Sequence, residues 1–199
     1  MNYLAHAFLS FSHPELLVGQ MISDFVKGRS YLNYPLPIRN GIVLHRHIDG
    51  FTDQHPASRQ ARQFLRPAAG LYAGAFLDIA YDHFLANDPL AFPSAGDLQQ
   101  FSAGTYQTLQ HYFTSLPPGF QLMFPYMRQH DWLYGYRFTD GVLKSFTGLA
   151  KRAAYLSDAA PIYQAFEENY AALRQCYELF FPALRVFVLS QPEITALTG

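Results

Sequence analysis

Gly41-Ile42-Val43-Leu44-His45-Arg46-His47-Ile48-Asp49-Gly50-Phe51-Thr52-Asp53 is the stretch whose reading decides the fold. Leu44 and Ile48 recur at helical spacing, and His45, Asp49 and Asp53 follow one another at steps of four, so a helix here carries an imidazole and two carboxylates along one face. Leu77-Asp78-Ile79-Ala80-Tyr81-Asp82-His83-Phe84-Leu85 repeats the device, with Asp78 and Asp82 four apart and His83 beside the second. Two such helices packed side by side can hold a metal between them.

Working outward, helical periodicity dominates, strict alternation over a strand length is hard to find, and no Asn-Gly or Asp-Gly hairpin signal sits between β-branched runs. The expected fold class is all-α, a single-domain helical bundle over residues 1–199. A first helix is expected over Tyr3 to Phe11, and a second from Pro14 to Lys27, stopping at Gly28 with Asp24 in its last turn. Pro35 and Pro37 break the chain before the His45 helix, which ends near Gln54 because Pro56 disfavours helical geometry at His55. A short basic helix spans Ala57 to Leu65, Gly70 and Pro89 bracket the Asp78 helix, and further helices cover Asp97–Thr114, Phe120–His130 and Thr139–Arg152. The last begins near Ala160-Pro161 and carries Phe166, Tyr170, Leu173, Tyr177 and Phe180 as a core stripe, with Pro182 expected to kink or end it.

Half of the 199 residues are hydrophobic, and 18 Phe with 14 Tyr exceed what a surface accommodates, so rings must pack inside or line a cleft. A net charge of −1 provides no whole-protein field for nucleic acid or an anionic membrane. No apolar run approaches the roughly 20 residues that span a bilayer, since Pro182 and Arg185 cut the one near Phe180–Leu189. With one cysteine, Cys176, no internal disulfide or cysteine metal framework is available, which fits a reducing cytoplasm. The expectation is a cytoplasmic protein without nucleic-acid or membrane partners, its oligomeric state left open.

The candidate ligands are His6, Asp24, His45, Asp49, Asp78, Asp82 and His83. Mixed carboxylate and imidazole ligation favours manganese, magnesium or iron over a structural zinc site, which draws on cysteine. Solvated i, i+4 pairs arise by chance on any helix; here the apolar neighbours Leu44, Ile48, Leu77, Ile79 and Phe84 place the polar groups among core residues, where unpaired acids are costly. No Gly-rich phosphate loop, nucleophile elbow or Cys/His pair is visible. Metal-activated water is the chemistry that remains. Arg46 could clamp a phosphate oxygen or pair with Asp49 or Asp53. Lys27 and Arg29 follow Asp24, and Arg59, Arg62 and Arg66 form a basic helical stripe.

Met1-Asn2-Tyr3-Leu4-Ala5-His6, Ser23-Asp24-Phe25-Val26-Lys27-Gly28, His45-Arg46-His47-Ile48-Asp49 with Thr52-Asp53, and Leu77-Asp78 with Asp82-His83-Phe84-Leu85 together resemble the acyl carrier protein phosphodiesterase family. The agreement covers about the first 90 residues; beyond residue 95 only Lys151-Arg152 fits the pattern. The resemblance implies an all-helical, divergent branch of the HD-type metal-dependent phosphohydrolases, although Asp82-His83 reverses the usual His-Asp doublet. It implies a manganese-dependent enzyme that removes 4′-phosphopantetheine from the serine of acyl carrier protein. On that reading a subset of His6, Asp24, His45, Asp49, Asp78 and Asp82 binds the metal, and Asp24, Arg46 and His83 are the catalytic candidates. Lys27, Arg59, Arg62 and Arg66 meet the substrate, the basic stripe facing the acidic carrier protein. The other readings are an HD-type phosphohydrolase on a nucleotide or other small phosphodiester, and a non-catalytic helical module that binds a ligand.

Overall fold

In the computed structural model, which describes residues 1–156 and 158–198, the helices assemble around one continuous apolar cluster, and no strand occurs among the described residues. The half that carries the candidate ligands comes first: α1 (Tyr3–Phe8), α2 (Pro14–Ile22), α3 (Leu36–Gln54), α4 (Pro56–Ala69) and α5 (Ala73–Ala86). The second half, α6 (Ala95–His111), α7 (Pro118–Gln129), α8 (Trp132–Gly135), α9 (Thr139–Ala150), α10 (Ala160–Glu168), α11 (Tyr170–Leu189) and α12 (Pro192–Thr198), closes the bundle around it. The all-α expectation is what the chain adopts. No helix among the described residues is long and apolar enough to cross a membrane.

Several boundaries differ from the sequence expectation, each for a local reason. The first helix stops at Phe8 because Phe11 and Ser12 take left-handed backbone angles (φ 48° and 64°). The second stops at Ile22 and gives way to a tight turn, Ser23–Phe25, so Asp24 lies in that turn and not in an α-helix. The carbonyl oxygens of Val26 and Gly28 instead accept hydrogen bonds from Arg46. Pro37 falls in the first turn of α3, where a missing N–H costs nothing. The stripe expected on one last helix is divided at Asn169 between α10 and α11, yet Phe166, Leu173, Tyr177 and Phe180 are all buried. Pro182 does not end α11; its absent N–H leaves the carbonyl of Glu178 without a helical donor, and both residues are exposed to water.

α2 and α3 pack with their backbones in direct contact. Gly19 and Gly41 meet back to back: a Cβ on Gly19 would sit 2.1 Å from the Ile38 carbonyl oxygen, and one on Gly41 would sit 2.2 Å from that of Leu16. Only paired glycines let these backbones touch. α1 lies across α2 and α5, and α4 and α11 back the other side of α3 and α5.

Candidate metal centre

Close approach of α2 to α3 brings one residue, Gln20, against two histidines. Fully buried, it places its side-chain Oε1 2.9 Å from His6 Nδ1 and its backbone oxygen 2.8 Å from His45 Nδ1. Both partners are acceptors, so each Nδ1 carries the donated hydrogen and each Nε2 is left to face the other way. The two rings stack, centroids 3.7 Å apart and planes 12° from parallel, and both Nε2 atoms lie toward Asp49. An acceptor on Nδ1 fixes the tautomer of a histidine and turns its Nε2 lone pair toward a cation, the usual support of an imidazole metal site.

Asp49, one turn beyond His45 on α3, meets both rings: Oδ2 lies 3.1 Å from His45 Nε2 and Oδ1 lies 3.3 Å from His6 Nε2. Asp24 Oδ1 reaches His45 Nε2 at 3.3 Å from the turn after α2. Ligand atoms of His6, His45 and Asp49 all fall within 4.8 Å of one another. His6 Nε2 is buried and has no hydrogen-bond partner, despite its nearness to Asp49. An orphaned imidazole lone pair, a second beside it and a shared carboxylate fit a divalent cation. The buried side of the cluster is closed by the histidines; its open edge is Asp24, whose side chain is 68 % exposed.

Electrostatics of the cluster follow from this geometry. Burial, with the charge of His45 next, pushes His6 down to about 4. For His45 burial pulls the same way, but hydrogen bonding to Asp24 and Asp49 outweighs it and raises the imidazole to about 9. Burial would raise Asp49, yet its contacts with His45 and His6 hold the carboxyl well below the usual range. Asp24 is lowered chiefly by its hydrogen bond to His45. At neutral pH His6 is therefore neutral and His45 carries a proton that a cation must displace. Calorimetry of manganese binding at pH 7, in buffers of different ionisation enthalpy, should show release of about one proton, and affinity should climb with pH until it levels off above about 9. Binding without proton release would remove His45 from the ligand set.

The remaining sequence candidates occupy other positions. Asp78 is 3.0 Å from the amino group of Met1, which is itself 3.4 Å from Asp49 Oδ1, so it adjoins the cluster through that ammonium. Asp82 does not join the cluster. Its carboxylate accepts from the backbone N–H groups of Asn2, Leu4 and Ala5 at 3.3, 2.7 and 3.2 Å. It thereby caps α1, a six-residue helix whose own Asn2 makes no side-chain cap. Burial pushes Asp82 up to about 7, against the pull of the Met1 ammonium and these amides. His83 is also elsewhere: Nδ1 donates to the Tyr136 carbonyl oxygen at 2.7 Å and Nε2 accepts from the Tyr170 hydroxyl at 2.8 Å, which leaves it no free nitrogen. Arg46 spends Nη2 on the Val26 and Gly28 carbonyls, with its guanidinium 5.1 Å over Tyr31. Lys27, Arg59 and Arg66 are exposed, and Arg62 binds the carboxylate of Asp53 at 3.0 Å together with the Asp53 carbonyl.

A sequence model of acyl carrier protein phosphodiesterases matches residues 1–184. The chain belongs to the acyl carrier protein phosphodiesterase family. Relatives bearing that name include a protein of Enterobacter sp. (strain 638), 30 % identical over 186 residues that cover 94 % of this chain and 96 % of the relative. One from Salmonella paratyphi A is 30 % identical over 184 residues, 92 % of this chain and 95 % of its own. A third, from Salmonella dublin, shows the same identity and coverage. No solved structure matches the chain. The match extends well past the motif-bearing first half of this phosphodiesterase-family chain. What the sequence reading missed is Gln20; its signal was a lone amide in the otherwise apolar run Leu16-Leu17-Val18-Gly19-Gln20-Met21-Ile22.

Proposed function

We propose that this chain is a metal-dependent phosphodiesterase that hydrolyses 4′-phosphopantetheine from the serine of holo acyl carrier protein, leaving apo carrier protein. The observation that carries the reading is the convergence of His6 Nε2, His45 Nε2 and Asp49 within 4.8 Å, in a chain matched by the family over residues 1–184. His6, His45 and Asp49 hold the cation, for which manganese is our choice, with magnesium or iron as the other oxygen- and nitrogen-compatible ions. Bound there, the cation would supply polarisation of a phosphoryl oxygen and acidification of water. Asp24, the exposed carboxylate at the rim, accepts the proton of the attacking water, and Lys27, three residues on, offsets charge on the phosphoryl oxygens. The water oxygen bonds to phosphorus, the phosphorus–oxygen bond to serine breaks, and the serine oxygen takes up a proton.

Around this site we assign Arg59, Arg62 and Arg66, which share a face of α4, to capture of the acidic carrier protein. His and Asp ligands on packed helices support kinship with the HD-type phosphohydrolases, and an unpaired buried Cys176 is in keeping with a cytoplasmic setting. Intact-mass analysis should show holo carrier protein losing its prosthetic group, with chelator stopping the loss. In heavy-oxygen water the label should appear on the phosphate of released phosphopantetheine. Label on the serine would mean attack at carbon; intact holo carrier protein beside hydrolysed nucleotides would move the assignment to a small phosphodiester.

A further inference from the structure

Between α2 and α3 the chain passes through the turns Ser23–Phe25 and Ser30–Asn33, and two arginines on one face of α3 tie it down. Arg39 donates from Nη2 to the carbonyl oxygens of Leu32 and Tyr34 at 3.3 and 3.5 Å. Arg46, two helical turns later, donates to those of Val26 and Gly28 at 2.9 and 3.3 Å. Both ends of the segment are thereby fixed to a rigid helix. Phe25 anchors it from the far side, edge-on to Phe120 at 5.5 Å.

A cleft of about 400 Å³ opens in this fastened segment, lined by Phe25, Val26, Lys27, Ser30, Asn33 and Tyr34. That volume lies within the range of about 300–1,000 Å³ typical of small-ligand sites. Its first lining residue directly follows Asp24, so the cleft is built on the chain that leaves the open rim of the metal cluster. The lining holds one cation, two hydroxyls, a primary amide, two aromatic rings and an aliphatic side chain, and no acid. Such a set suits a linear ligand with an anionic end and a body that alternates amides with short apolar pieces.

We propose that this cleft is the subsite for the arm of 4′-phosphopantetheine, with Lys27 at the phosphate end, Asn33 exchanging hydrogen bonds with an arm amide, and Phe25 and Tyr34 covering its hydrocarbon. The assignment rests on the carrier-protein reading above. Arg39 and Arg46 act as positioning residues, because a segment already held in shape loses less freedom when the arm settles on it.

The test compares two esters with the metal-loaded full chain: holo carrier protein, and the same carrier protein whose serine phosphate bears a methyl group in place of the arm. Ser30→Trp fills the cleft from an exposed turn. It should raise KM for holo carrier protein at least about tenfold with kcat within about twofold, collapsing the preference for holo over methyl ester. Asn33→Leu should act in the same direction by about three- to tenfold, the loss of one amide pair. Free 4′-phosphopantetheine, titrated by calorimetry, should bind Ser30→Trp about tenfold more weakly than wild type. Unchanged KM in both variants, or equal losses on the two esters, would overturn the subsite. Wild-type enzyme that cleaves the small diester bis(p-nitrophenyl) phosphate but leaves holo carrier protein intact would overturn the carrier-protein reading, and the subsite with it.

Discussion

His45→Ala and Asp49→Ala should each lower kcat/KM on holo carrier protein by at least about 10³-fold, since even outer-shell partners of a metal ligand cost about 10- to 100-fold when removed. Each contributes atoms to the one point where two imidazoles and a carboxylate meet. Asp49 is the more central, because it touches both rings; without it His6 Nε2 loses its neighbouring carboxylate and His45 keeps only Asp24. Asp49→Asn, which preserves volume, should lose activity equally, separating charge from packing. Far-ultraviolet circular dichroism should stay helical in all three, for the core of the bundle lies beyond these side chains. Manganese retention measured by electron paramagnetic resonance should fall in parallel with turnover. Wild-type turnover in any one variant would remove that residue from the site.

Gly41→Ala and Gly19→Ala should both be strongly destabilising, and about equally so. The added methyl in either would land just over 2 Å from a backbone oxygen of the facing helix. A side chain can swing away from such a clash, but two helix backbones must separate. Overpacking costs of about 1–3 kcal/mol are typical, and this one belongs at the upper end. For a chain of this length, about 3 kcal/mol corresponds to a fall in Tm of about 6–12 °C, readable by calorimetry. Separation would also draw the Gln20 carbonyl away from His45 Nδ1, so manganese affinity should drop in the variants that still fold. An unchanged Tm would show that α2 and α3 do not depend on this contact.

The helical class and the His45–Asp49 pair were legible in the sequence because both are local. A spacing of four on a helix sets two side chains on one face whatever surrounds it, and Asp49 indeed lies 3.1 Å from His45. His6 and Asp24 entered through their own motifs, and the structure brings both to the same imidazole cluster. The same local rule put Asp78 and Asp82 on one face of α5, but could not say what that face meets. One adjoins the Met1 ammonium and the other caps α1, a turn of helix apart.

Periodicity alone thus determined an all-α chain and the helix that carries the candidate ligands, while the family was legible only through the resemblance of four separated motifs. The tertiary structure decided everything that depends on where two helices cross. Gly19 and Gly41 look like ordinary helix glycines until α2 lies on α3, and Gln20 becomes the holder of both histidines only at that crossing. His83 finds its partners on Tyr136 and Tyr170, 53 and 87 residues away along the chain. Such contacts are set by packing between distant segments, for which sequence spacing carries no information, whereas contacts within one helical turn are set by the backbone itself.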